Sequence, residues 1–313
     1  MKMPVGQNAP ALTIVVPVFN ECECIRTYVE AVAAQTMPCE WKLLFVDDGS
    51  TDGTLAAIKE IASSDRRVHY ISFPRNFGKE AALLAGLEHS GGDLVATMDV
   101  DMQDPPSLLP EMARAIREEK FDVVATRRTT RKGEPLLRSL FAHLFYKTMR
   151  CFSDLELVEG ARDYRMMTRK VVDAVVSMQE RDRFIKGIFP WVGFKTKWID
   201  YEYVPRTTGS TKWSFWKLFV YGVNGVLSFS TAPLRSVAFG GILAFAAAFP
   251  LLVFMLVRHF ALGRPFTECA VLAYLIAFLA SMQTLAVGIF GLYLAKIHRE
   301  STRRPHFVIA EQA

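Results

Sequence analysis

The sequence predicts an α/β protein: a mostly parallel β-sheet with helices on both faces, joined to interfacial amphipathic helices and two C-terminal transmembrane helices. Three observations carry this expectation. Short β-branched runs alternate with helical stretches along the first part of the chain, clusters of acidic residues follow several of those runs, and two long uncharged apolar runs lie near the C-terminus.

The expected strands are Leu12–Val18 (LTIVVPV), Lys42–Val46 (KLLFV), Val68–Phe73 (VHYISF), Leu94–Met98 (LVATM) and Asp122–Thr126 (DVVAT). Each is a short run rich in residues that suit a pleated surface. Between them Glu23–Gln35, Thr54–Ser63 and Lys79–Glu88 read as helices. In sheets built from such βαβ units, ligands bind beyond the C-terminal ends of the strands. The residues found there are Pro17-Val18-Phe19-Asn20-Glu21, Asp47-Asp48-Gly49-Ser50-Thr51-Asp52-Gly53, Asp99-Val100-Asp101-Met102-Gln103-Asp104, and Arg127-Arg128. Three acidic clusters and a basic pair would converge on one edge. Ser50-Thr51-Asp52, directly before a helix, reads equally well as a helix cap.

Asp99 and Asp101, two apart where an extended segment ends, can turn both carboxylates and the Gln103 amide toward one hard cation. Oxygen ligands of this kind suit Mg²⁺ or Mn²⁺, which share their remaining coordination with waters and substrate phosphates. No GxxxxGK[ST] phosphate loop occurs, and Gly49, Gly53, Gly78 and Gly86 form no dinucleotide fingerprint.

The chain is 51% hydrophobic with a mean hydropathy of +0.18, high for a purely soluble protein. The excess sits in Val237–Val257 and Val271–Ala295, neither of which holds a charged residue. At about 1.5 Å per residue, each can cross a hydrocarbon core of about 30 Å. Lys296, His298, Arg299, Arg303 and Arg304 follow the second run, whereas the link between the runs carries only Arg258 and Arg264 besides His259. Positive segments stay on the cytosolic side, so both termini are expected inside. No signal-peptide pattern precedes the first strand, so the large polar region is expected in the cytosol. The stretch Leu140, Phe141, Leu144, Phe145 and Met149, interleaved with His143, Lys147 and Arg150, has the spacing of an interfacial helix, and so do Trp213, Trp216, Phe219, Val220 and Val223. The expected division is thus a catalytic region over 1–212 with an interfacial helix near 139–152, juxtamembrane helices over 213–235, and a membrane domain with a basic tail over 236–313.

Five cysteines show neither zinc nor redox spacing and read as reduced thiols. The net charge of +5 is concentrated near the membrane runs, and no base-stacking aromatic pattern accompanies it, so an anionic bilayer is the expected partner and nucleic acid is not. Neither run contains an ionisable residue that would mark a transport path.

PVFNE, VDDGSTDGT and DVDMQDPP, in this order on these strands, resemble the nucleotide-sugar half of a family 2 glycosyltransferase of the inverting GT-A fold. RNFGKEAAL (75–83), RFIKGIFPWVGF (183–194) and RTTGSTKW (206–213), with the two apolar runs, are similar to the polyprenyl-phosphate glycosyltransferases. GtrB-like bactoprenol glucosyltransferases are the nearest branch, and dolichol-phosphate mannose synthases are more distant. The resemblance implies transfer of a hexose, glucose before 4-amino-4-deoxy-arabinose derivatives, N-acetylhexosamine or mannose, from a UDP-sugar to undecaprenyl phosphate. It implies that Pro17, Phe19 and Glu21 line the uridine, that Val46 and Asp48 close around the base, and that Asp99, the Val100 backbone, Asp101 and Gln103 hold ribose, metal and diphosphate. It further implies Arg127 and Arg138 on the acceptor phosphate, Arg206 and Lys212 over the phosphates, and Asp163 as base or acceptor-orienting carboxylate, with Glu159 the alternative. A homo-oligomer, a tetramer by analogy, goes with it. A processive polysaccharide synthase would need a Q-x-x-R-W element, which Gln179-Glu180-Arg181-Asp182-Arg183-Phe184 does not supply. A non-enzymatic membrane scaffold would have no use for the acidic clusters.

Overall fold

A computed structural model describes residues 12–128, residues 158–202 except 159, 179 and 182, scattered helical positions between 234 and 260, and residues 269–313. The expected interfacial helix near 139–152 and nearly all of the segment 213–235 lie outside the described residues.

The chain divides into two compact units, one of residues 1–150, 154–222 and 304–313, the other of 151–153 and 223–303. The first unit runs β1 (Leu12–Val18), a 3-10 turn (Cys22–Cys24), α1 (Ile25–Ala33), β2 (Trp41–Asp47), α2 (Thr54–Ser64), β3 (Val68–Ser72), α3 (Lys79–His89), β4 (Leu94–Thr97), a second 3-10 turn (Pro106–Leu108), α4 (Leu109–Glu119), β5 (Val123–Arg128), β6 (Ala161–Thr168), α5 (Arg169–Ser177), α6 (Ile185–Val192) and β7 (Thr196–Tyr201). In the second unit α7 spans Cys269–Ser301, and the chain then returns to the first unit to form β8 (Glu311–Gln312).

All eight strands form one sheet in the order β7-β5-β6-β4-β1-β2-β3-β8. The core β3-β2-β1-β4 is parallel, as the βαβ spacing predicts. The sheet is mixed but still mostly parallel: β6 runs antiparallel to both β4 and β5, and β8 antiparallel to β3, while the other six strands share one direction. Parallel strands must be joined by crossovers, and the crossovers here cover both faces. Alternate residues Leu12, Ile14, Val16 and Val18 of β1 therefore meet one cluster, shared with Ile25, Tyr28 and Val32 of α1, Ile58 of α2 and Leu109, Met112 and Ile116 of α4. Val15, between them, faces α3 on the other side, with α5 beside α3.

Gly86 sets how closely α3 approaches. A Cβ there would stand 2.1 Å from Val15 Cγ1 and 3.2 Å from Val46 Cγ2. The bare backbone lets the helix settle onto β1 and β2, so the N-terminus of α3 sits close to the sheet. Arg183 finishes the next helix by donating to the carbonyls of Val175 and Met178 at the end of α5, positions with no partner inside the helix.

In the second unit, the expected second span, Val271–Ala295, lies wholly inside α7, a helix of 33 residues. Its side chains are described at only some of those positions, and among the described residues no helix is long and apolar enough to cross a membrane. Phe239, Ile242 and Phe254 on the earlier run, Phe260 just beyond it, and Ile276, Val287, Phe290 and Leu294 on α7 are exposed. Gly240 lies against Met282, its virtual Cβ 3.3 Å from the methyl carbon, while Gly241, Gly288 and Gly291 have nothing within 4 Å.

Replacing Gly86 by Ala is expected to destabilise the protein by about 1–3 kcal/mol, since the stiff Val15 side chain cannot yield and the helix must shift. A lower midpoint of denaturant unfolding checks this. An unchanged midpoint would mean that α3 is not locked against β1.

Candidate active site

Because β1, β2 and β4 are parallel and in register, the segments that follow them leave the sheet on the same edge. The first two are laced together. Asn20 donates its backbone N–H to Ser50 Oγ at 2.9 Å, and its side-chain oxygen accepts from Thr51 N–H at 2.8 Å. Glu21 N–H donates to Thr54 Oγ1 at 2.9 Å, and Cys22 N–H to Asp52 Oδ2 at 3.4 Å. Asn20 itself sits at φ 54, a left-handed conformation that asparagine tolerates better than most residues. Asp52 accepts the N–H and hydroxyl of Thr54, the first residue of α2, while the N-cap itself is Gly53 and has no side-chain cap, so none of Ser50-Thr51-Asp52 is the N-cap.

The neighbouring pair Asp47 and Asp48 is buried. Asp47 accepts from Ser72 Oγ at 2.8 Å and from Ser50 N–H at 3.1 Å, which ties β2 to β3 and to the loop. Asp48 accepts from Phe77 N–H at 2.6 Å and Gly78 N–H at 2.9 Å. Burial, aided by Asp47, pushes its carboxyl up to about 6 against the pull of those two donors. A carboxylate has about four acceptor positions, so these two bonds leave room for a donor from outside. Gly49, at φ 69, lets this loop lie against Arg75, whose carbonyl carbon is 2.3 Å from where a Cβ would be.

The third segment faces β6. In the antiparallel register Leu94 opposes Thr168 and Thr97 opposes Arg165, so two residues beyond the ladder Asp99 comes opposite Asp163. Two carboxylates directly across a pair repel each other. Lys79, the first residue of α3, lies between them, its Nζ 2.7 Å from Asp99 Oδ1 and 2.8 Å from Asp163 Oδ2. Burial and the positive end of the helix dipole both oppose an ammonium here. The two carboxylates outweigh burial and hold Lys79 well above the ordinary lysine range. Burial raises Asp163, but Lys79, Lys186 and Arg165 overcome it and hold the carboxyl far below the usual range. Its Oδ1 is buried without a hydrogen-bond donor among the described residues. Lys186 is drawn down by burial, and Arg165, buried with its guanidinium 3.8 Å over the Phe189 ring, is lowered by burial to about 10.

The turn after Asp99 passes through Met102 at φ 59 and is fastened to β6 and β7. Asp104, 1% exposed, accepts from Tyr201 Oη and from Arg162 Nε at 3.4 Å, while Arg162 Nη2 reaches Gln103 Oε1 at 3.3 Å. Gln103 N–H donates to Asp101 Oδ1 at 3.2 Å. Asp99 and Asp101 present hard oxygen donors, and among the described residues no group of three or more His, Cys, Asp or Glu could hold a metal. Two carboxylates with phosphate completing the shell are what Mg²⁺ or Mn²⁺ takes. The donor set therefore fits such an ion through Asp99 and Asp101, with the Gln103 amide oxygen already engaged by Arg162.

The structure thus brings Asp48, Asp99, Asp101, Gln103 and Asp163 to one edge, with Phe19 and Glu21 half-buried beside them. The side chain of Val46 is fully buried against Gly86 of α3, because alternation along β2 turns it to the face that α3 covers. Val100 is also in the core, leaving only its backbone for a ligand. Arg127 is paired with Asp200, its Nε and Nη2 donating at 2.7 and 2.8 Å. Arg138, Arg206, Lys212 and Glu159 lie outside the described residues. Lys79, Arg162, Arg165 and Lys186 are the additions; Lys79 lies within RNFGKEAAL and Lys186 within RFIKGIFPWVGF, but nothing local in either stretch marks its lysine as a site residue.

A family model described as glycosyl transferase family 2 matches residues 13–176, from β1 to the end of α5. The chain belongs to that family. This glycosyltransferase is 37% identical over 302 residues to the putative glycosyltransferase CsbB of Bacillus subtilis (strain 168), covering 96% of this chain and 91% of the relative. It is 36% identical over 303 residues to the bactoprenol glucosyl transferase of Shigella phage SfV, covering 96% and 98%. The prophage bactoprenol glucosyl transferase homolog of Escherichia coli (strain K12) is 36% identical over 300 residues, covering 95% and 98%. The family match takes in the acidic edge of the glycosyltransferase together with Lys79 and Asp163.

Lys79→Met leaves Asp99 and Asp163 facing each other without a counter-charge. Breaking such a pair from one side is expected to destabilise the glycosyltransferase by about 1–3 kcal/mol, after discounting for the part of the side chain that solvent reaches. Denaturant unfolding measures it, and a wild-type midpoint would show that the ammonium does not hold the two strands' ends together.

Proposed function

We propose that the protein transfers a hexose, glucose in the first instance, from a UDP-sugar to a polyprenyl phosphate at the cytosolic face of a bacterial inner membrane, with inversion at the anomeric carbon. The full-length match to bactoprenol glucosyl transferases carries this reading, and the acidic edge supplies chemistry that suits it. Asp48 would accept a uracil N–H, with Phe19 and Glu21 beside the uridine. Asp99 and Asp101 would hold the divalent cation, which when bound neutralises charge developing on the departing diphosphate.

The nucleophile in this scheme is a phosphate oxygen of the lipid. A phosphate monoester has a second pKa of about 6, so it is already largely dianionic at neutral pH and has no proton to lose. Asp163, held ionised by Lys79, Lys186 and Arg165, is a weak base. It serves instead to fix Lys79, and through it Asp99, while Arg127 and Arg138 meet the acceptor phosphate and Arg206 and Lys212 close over the donor phosphates. Planar guanidinium groups match phosphate in bidentate geometry, and Arg127 already shows that geometry toward Asp200. Attack from the face opposite UDP gives the inverted product.

Membrane attachment through 237–257 and 271–295 is part of the same reading. The exposed apolar side chains on both runs, Ile242 at 65% and Val287 at 70% among them, need a nonaqueous surrounding.

The direct test is transfer of radiolabel from a panel of UDP-sugars to undecaprenyl phosphate in detergent, with Mn²⁺ or Mg²⁺ and with EDTA. Labelled lipid from UDP-glucose is expected, abolished by EDTA and reduced by about 10²-fold or more in Asp101→Asn. A water-soluble or polymeric product would overturn the proposal. A second outcome concerns pH. Because Asp48 sits at about 6, it becomes neutral below that value, and UDP affinity is expected to fall as pH drops through about 6. In Asp48→Asn that step should vanish; a step that persists would assign it to another group.

A further inference from the structure

We infer that the segment 305–313 is a positioning element for the nucleotide-binding loop, acting through Phe307. The inference rests on the reading of Asp48 as the base-binding carboxylate.

The segment closes the edge of the sheet beside β3. Tyr70 and Ala313 exchange two backbone hydrogen bonds of 3.0 Å, Ala310 N–H donates to Ser72 O at 2.8 Å, and Lys59 reaches both carboxylate oxygens of Glu311 at 2.7 Å. A two-residue strand contributes little stability by pairing alone. The aromatic contact upstream of it is more specific. Phe307 stacks on Phe73, with centroids 5.2 Å apart and planes 14° from parallel, and its other neighbour is His89 at the end of α3.

Phe73 passes the contact inward. It is 2% exposed and meets Phe77 edge-on at 5.6 Å, with an interplanar angle of 83°. Phe77 is the residue whose N–H donates to Asp48 at 2.6 Å. Residues 73–78 belong to neither helix nor strand, so their path depends on these contacts. The ring of Phe77 is further covered by the Arg75 guanidinium at 4.0 Å, and the Arg75 backbone is what Gly49 packs against. Phe307, Phe73 and Phe77 thus form a row ending at the two donors that orient Asp48. Phe307 touches neither Asp99 nor Asp163, so its contribution falls on donor binding rather than on the transfer step.

The test compares donor KM and kcat, with UDP-glucose and undecaprenyl phosphate, for the full chain in detergent carrying Phe307→Ala, Phe307→Trp or Asp48→Ala. Phe307→Ala is expected to raise the donor KM roughly threefold to tenfold, the range that one lost aromatic pair corresponds to, with kcat within about twofold. Phe307→Trp keeps a stacking face and should restore the KM, a rescue that a general loss of stability would not show. If Phe307→Ala yields no folded protein, Phe307→Leu, which keeps apolar volume without a ring face, takes its place. An unchanged donor KM in the Phe307 variants beside a raised one in Asp48→Ala overturns the inference and leaves the nucleotide reading standing. An unchanged KM in Asp48→Ala overturns the nucleotide reading and the route through Asp48 with it.

Discussion

A single ammonium holds the site together. Carboxylates gathered on one sheet edge repel, and the register of β4 against β6 makes the worst case unavoidable by bringing Asp99 opposite Asp163. Lys79 occupies the space between them and bonds to both. Its position is not free to vary, because it opens α3, and α3 is pressed onto β1 and β2 through Gly86. Packing on one face of the sheet thereby places a charge on its edge. The preceding Gly78, at φ 100, makes the turn into the helix while its N–H serves Asp48, so the same two residues supply a donor to one carboxylate and a cation to two others.

The remaining acidic residues divide between two kinds of work. Asp47, Asp52 and Asp104 serve the protein itself: Asp47 joins β2 to β3, Asp52 holds Thr54 at the start of α2, and Asp104 receives Tyr201 and Arg162. All three accept hydrogen bonds from groups of the protein itself. Asp48, Asp99 and Asp101 follow the ends of the same parallel strands, on the same edge. The two non-glycine left-handed residues of these loops, Asn20 and Met102, lie next to this second group. Such conformations persist only where the surroundings fix them, and here the ties to Ser50 and Thr51 and the fastening of the 101–104 turn to Arg162 and Tyr201 provide that.

The parallel half of this arrangement was readable from the chain because its signals are local. β1 to β5 are short apolar runs, and helices begin after Gly53 and Gly78, so the acidic loops could be assigned to one edge before any coordinates. The antiparallel half was not. β6 reads ARDYRMMT, with arginines among its apolar residues, and the guanidinium of Arg165 rests on the ring of Phe189, 24 positions away in sequence, on α6. The pairing of Lys79 with Asp163 spans 84 residues and has no local trace. The burial of Val46 under α3 was unreadable for a related reason: a strand buried on both faces has no polar alternation to say which way each side chain points. β8 was hidden by its brevity and by the basic residues before it, which suggested only a charged tail.

The electrostatics of Asp163 bear on the kind of reaction the site can run. A general base works best when its pKa lies near the operating pH. Asp163 is driven the other way by three cations, and its ion pair with Lys79 would have to open before it could take a proton. With an alcohol as acceptor, this would be a poor design, because the hydroxyl proton has to go somewhere. With a phosphate dianion as acceptor, the proton is already gone, and the demand on the protein changes from removing charge to arranging it. Fixed cations and fixed carboxylates are suited to that task, since they need no reorganisation as charge moves from the acceptor oxygen to the leaving diphosphate. The locked Lys79 pair is thus better matched to a phosphate nucleophile than to a hydroxyl one.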